Sequence, residues 1–115
     1  MSVRLRELGF DLVVARFPES APVPTARREG FYSVTSAPGE VSVVCEADRV
    51  PVGAEKAEPG WRALVVDGPL AFEMTGVLAS LAAPLAEAGV PIFVLSTFDT
   101  DYLLVRADDL RLAVS

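Results

Sequence analysis

A chain of 115 residues with 16 Asp+Glu against 10 Lys+Arg, net charge −6, lacks the clustered cations that displace phosphate counterions, which argues against general nucleic-acid binding. One cysteine and no histidine exclude an internal disulfide, Cys/His metal sites, imidazole acid–base catalysis and Ser-His-Asp triads. A hydrophobic fraction of 51% excludes a disordered chain and is enough for one compact domain or two small fused halves.

In chain order, the Arg4/Arg6 region carries no secretory pattern, because Glu7 and Asp11 interrupt the apolar run behind it. Asp11–Phe17 is β-rich and stopped by Pro18, giving a first strand. Residues 18–30 hold Pro18, Pro22 and Pro24, which exclude a long helix. Phe31–Ser36, the turn Ala37-Pro38-Gly39 and Glu40–Glu46 form a hairpin. Cys45, in an apolar run with no base nearby, is a small buried hydrophobe. Ala47–Gly60 is a polar, Gly/Pro-punctuated connection, and Trp61–Asp67 a fourth strand. A helix follows from about Thr75 to Ala88, with Met74, Val77, Leu78, Leu81, Leu85 and Ala88 on one stripe and Gly89 as its stop. Pro84 bends it. The stretch 77–90 is too short for a bilayer and contains Glu87. Pro91–Ser96 and Asp101–Arg106 are strands five and six, and Asp108 caps a last short helix, Asp109–Val114.

The order strand, connection, hairpin occurs twice. Laid ungapped, 31–50 on 92–111, Glu40 falls on Asp101, Val44 on Val105 and Asp48 on Asp109. The expectation is a duplicated α+β fold of ferredoxin-like βαββαβ topology with a degenerate first copy, residues 1–60, and a full second copy, 61–115. The open sheet edges or helix faces of such halves invite a second chain, so a homodimer is expected.

The segments TGVLASLAAPLAEAGV (75–90) and STFDTDYLLV (96–105) carry a more specific signal. They closely resemble ACT domains of the aspartokinase kind, and most of all the small bacterial stand-alone ACT proteins and the related eukaryotic cytosolic arginine sensors. The resemblance covers the last third of the chain strongly, and the first half only in its order of elements. It implies a regulatory, non-catalytic module that binds a small-molecule amino acid between copies. The missing secretory pattern and the short apolar stretch make a cytoplasmic protein with no membrane contact the expectation, and no cofactor and no metal are expected. Carried over position by position, the ligand contacts are Ala71, Met74, Thr75, Gly76 and Val77 on the loop entering the helix, and Thr97, Phe98 and Asp101 on the acidic turn. Met74 stands where the sensors have an acidic residue, with Glu73 beside it.

The residues themselves allow that chemistry. The first N–H groups of a helix lack intrahelical partners and favour an anion, so a ligand carboxylate fits over Thr75-Gly76-Val77. Asp101 then faces the ligand ammonium. Beside this stand plainer readings. Gly76 is a turn residue, Asp99 bonds its own turn as an Asx residue, and Phe98 floors a pocket or covers the sheet edge. Two carboxylates fall short of the roughly six to eight oxygens of a calcium cage. Ser96 and Thr97 have hydroxyls but no base. The alternative function is a ligand-free ACT-like assembly or scaffold module that contacts a protein partner.

Overall fold

Period-two alternation of apolar residues becomes seven strands among residues 5–21, 30–66 and 83–110, which the computed structural model describes. They are β1 (Leu5–Glu7), β2 (Leu12–Phe17), β3 (Tyr32–Ala37), β4 (Glu40–Glu46), β5 (Lys56–Val66), β6 (Ile92–Ser96) and β7 (Asp101–Arg106). The chain divides into two units, Phe10–Trp61 and Met1–Gly9 with Arg62–Ser115.

In the first unit the strand order is β3-β4-β2, with both pairings antiparallel, and β2 also pairs the first half of β5. Register places Val13 opposite Cys45, Ala15 opposite Val43 and Phe17 opposite Val41. Paired side chains share a face, and these six are the buried core of the unit, with Tyr32 and Val50 packed against them. Leu12 and Val44, on the opposite face, are also buried. In the second unit the order is β6-β7-β5, and β1 pairs the second half of β5. Its core is Leu85, Val90, Leu103 and Val105, flanked by Ile92 and Leu110. Residues 83–87 are helical and end at Gly89 with φ 76°, the stop expected from sequence. The rest of the predicted helix lies outside the described residues.

Three sequence expectations need correction. The connection 47–60 is half strand, because β5 begins at Lys56. Pro59-Gly60 reads as a turn but sits at a β-bulge, where Leu12 pairs Trp61 and Val14 pairs Glu58. The missing N–H of Pro59 is tolerated there because a bulge leaves one residue unpaired. The three-residue β1 escapes detection because so short a strand has no periodicity. After β7 comes a 3₁₀ turn, Ala107–Asp109, and Leu110 is helical; the rest of the last short helix expected over Asp109–Val114 lies outside the described residues.

The repeat also changes register. Tyr32 pairs Cys45 and Ile92 pairs Val105, Val34 pairs Val43 and Val94 pairs Leu103, Ser36 pairs Val41 and Ser96 pairs Asp101. Each second pair lies sixty positions beyond the first. The first hairpin closes over two residues, Pro38-Gly39, and the second over four, Thr97 to Thr100, and both are followed by a 3₁₀ turn beginning Ala-Asp. The alignment of 31 with 92 is therefore one residue off. A slip of one in a strand exchanges the two faces. The counterpart of Asp101 is Val41, and Glu40 corresponds to Thr100. The fold is a duplicated, ferredoxin-like α+β arrangement with a degenerate first copy.

Candidate functional site

The candidate site is built at the turn end of the β6–β7 hairpin. Counting back from Val105 and Leu103 by twos puts Asp101 on the core face of β7, beyond the last buried apolar side chain. Ser96 faces it across the register. Asp101 is half-buried, and among the described residues its carboxylate has no hydrogen-bond or ion-pair partner. A half-desolvated carboxylate with no partner forgoes the charge-assisted bonds that usually accompany such a position.

Thr97 fixes the turn. Its N–H donates to the Thr100 carbonyl at 2.8 Å, and its hydroxyl donates to the same oxygen at 3.1 Å. The hydroxyl oxygen in turn accepts the Thr100 N–H at 3.1 Å. A hydroxyl has one proton to give, so Thr97 shapes the hairpin tip and any further contact there uses its remaining lone pair. This bonding replaces the turn role expected of Asp99, which is exposed and bonds no turn amide. Phe98 stands at the tip and is 96% exposed, so in the free chain it neither floors a pocket nor covers the sheet edge among the described residues. Thr97, Phe98 and Asp101 thus share one hairpin end. Ala71, Met74, Thr75, Gly76 and Val77 lie outside the described residues.

Ser96 is the residue that sequence reasoning undervalued. It pairs Asp101 in the register of the hairpin, and the alternation running back from Leu103 was the signal for that pairing. Among the described residues no group of three or more His, Cys, Asp or Glu is placed to hold a metal ion. No helix among them is long and apolar enough to cross a membrane. Cys45 is fully buried, and burial first, then the carboxylates of Glu46 and Asp48, push its thiol above the ordinary value.

The duplicated α+β fold thus carries two antiparallel hairpins, one ending in an acid that has no partner among the described residues. The ACT domain family model matches residues 56–115, and the chain belongs to that family. A second model, of an N-terminal domain, matches residues 12–53. The cytosolic arginine sensor for mTORC1 subunit 1 of Bos taurus is 31% identical over 102 residues, aligned with 80% of this chain. That alignment takes in 31% of the sensor, so the chain spans about a third of its relative's length. A crystallised protein from Agrobacterium tumefaciens is 39% identical at a TM-score of 0.88, covering 99% of this chain and 85% of its own. An aspartate kinase of Clostridium acetobutylicum shares the fold, with 13% identity and a TM-score of 0.65 over 98% of this chain and 33% of the kinase.

Proposed function

We propose that this chain is a non-catalytic, cytoplasmic ACT regulatory protein that binds a free amino acid beside Asp101. It acts by altering contacts with a second copy of itself or with a partner protein. The observation that carries this reading is the Asp101 carboxylate, half-buried on the core face of β7 and without a partner among the described residues. A ligand ammonium satisfies it, and the amides of Thr75, Gly76 and Val77 at the helix start receive the ligand carboxylate. Ala71 and Met74 then meet the ligand side chain, with Thr97 and Phe98 on the opposing turn. Membership in the ACT family and likeness to a protein named as an arginine sensor support the class of ligand.

The test is a thermal-shift screen of the twenty amino acids at millimolar concentration. At a hundredfold excess over Kd, binding adds about 2.7 kcal/mol to stability. At roughly 4 °C per kcal/mol for a domain of this size the shift is readily seen. If no amino acid moves the transition, the second reading takes over, a ligand-free assembly module. That reading is favoured by the exposed Phe98, a large aromatic at a hairpin tip suited to covering another protein.

A further inference from the structure

The turn of the first hairpin is already occupied by the chain's own charges. Gly39, at φ 92°, donates its N–H to the Glu19 carboxylate, and its carbonyl accepts from the Arg16 guanidinium at 3.3 Å. Glu19 belongs to the stretch that follows β2, where Ala21 N–H closes a turn on the Pro18 carbonyl at 2.9 Å. Arg16 is held in turn by Glu55 at 3.9 Å. By the sixty-residue register, Gly39 corresponds to Asp99 in the turn of the candidate site. The segment following β2 corresponds in order to the loop following β5, which is proposed to receive the ligand. A carboxylate and a cation therefore meet the first turn from within the chain, the same two charges that a free amino acid brings.

A second observation points the same way. The counterpart of Asp101 is Val41, 2% exposed and paired with Phe17 in the core of the unit. The place that offers a carboxylate to an ammonium in the second unit is filled with hydrocarbon in the first.

We propose that the first unit's counterpart of the ligand site is closed in cis by Glu19 and Arg16, so that the chain takes one ligand and not two, and that the Gly39 amide is a latent carboxylate site exposed when Glu19 is removed. This rests on the proposed ligand site only for the count of ligands; the occupied turn stands without it. Closure in cis tethers the competing carboxylate, which an external anion must displace. The bond Glu19 makes belongs to the charge-assisted class of about 1.5–3 kcal/mol, equivalent to roughly tenfold or more in affinity.

The experiment follows the Gly39 amide by NMR with sodium acetate as the probe, at constant ionic strength set by sodium chloride. In the full chain acetate should leave its proton shift unmoved. In Glu19→Ala, acetate should move it with at least about tenfold greater response than in the unmodified chain. Equal response in both chains, or none in either, overturns the latent site. An adventitious anion effect is exposed by chloride moving the amide as far as acetate does, and that result also overturns it. Calorimetry with the amino acid found in the thermal screen then gives one site per chain; two sites overturn the closure. Asp101→Ala weakens that binding about tenfold or more while leaving the Gly39 response intact, so failure of the ligand site and failure of the closed turn are read separately.

Discussion

Asp101 and Val41 occupy one position in two hairpins, and the difference between them is the chemical content of this fold. Val41 contributes to a core; Asp101 holds a charge at the rim of one. Replacing Asp101 with Ala should leave folding intact, since its carboxylate makes no bond among the described residues, yet weaken amino-acid binding about tenfold or more. Isothermal calorimetry reads the loss, and the melting temperature without ligand should stay within a degree or two of the unmodified chain. Cys45 gives a second prediction at this scale. Its thiol ionises above the ordinary value in the folded chain and near about 8.5 when unfolded. Below that ordinary value both states keep the proton and the group contributes its full share. As pH rises past it the unfolded chain ionises first, so stability falls through the window between the two values. Urea midpoints taken across that alkaline range should decline less steeply in Cys45→Ala. Thiol reagents should modify the native protein only as fast as it opens.

Among the elements, those with strong alternation were legible from sequence. β4 and β7 lie where the apolar runs Val41–Cys45 and Tyr102–Val105 place them. What could not be read was long-range. A β-bulge and a turn use the same residues, so Pro59-Gly60 looked like the close of a connection, although a strand runs through it. Few identities link the two hairpins, and the apolar runs alone fit equally well one residue apart. The local clues to the right register were Val34/Val94, Ser36/Ser96 and the shared Ala-Asp pair, Ala47-Asp48 and Ala107-Asp108. Only strand pairing decides it, because pairing fixes which face each residue occupies. Gly30 tests the hairpin's far end. At φ 77° it lies where a Cβ would come within 1.6 Å of the Glu46 carboxylate, which accepts the Phe31 N–H at 3.0 Å. Gly30→Ala should therefore cost the left-handed strain of about 1–2 kcal/mol plus most of that charge-assisted bond, about 1.5–3 kcal/mol. Gly39→Ala, at φ 92° with nothing within 4 Å of a Cβ, should cost the strain and any loosening of its Glu19 and Arg16 contacts. Denaturant unfolding of Gly30→Ala, Glu46→Ala and the double variant should give costs that are less than additive, since both singles break the same bond.

Across the whole molecule, β5 is the strand that the two units divide between them. Lys56–Trp61 belongs to the first, pairing β2, and Arg62–Val66 to the second, pairing β1. The boundary between copies is expected at 60/61, whereas the second unit also includes residues 1–9. Leu5, Arg6 and Glu7 pair Val66, Val65 and Leu64, and Glu7 holds Arg62 in a half-buried ion pair at 2.7 Å. Leu8 N–H donates to the Ala63 carbonyl at 3.0 Å. A fragment of residues 61–115 therefore leaves one side of Leu64–Val66 without its backbone partners and removes the Glu7 carboxylate from Arg62. Each unmade bond at a buried strand costs about 1–3 kcal/mol, enough together to remove most of the stability of so small a unit. The fragment should show weak or absent cooperative unfolding by circular dichroism. Adding a synthetic peptide of residues 1–10 in excess should restore a transition, whereas the same peptide with Glu7→Ala should restore less of it. If the fragment alone unfolds with the cooperativity of the full chain, β1 is dispensable and the copy boundary is also the folding boundary.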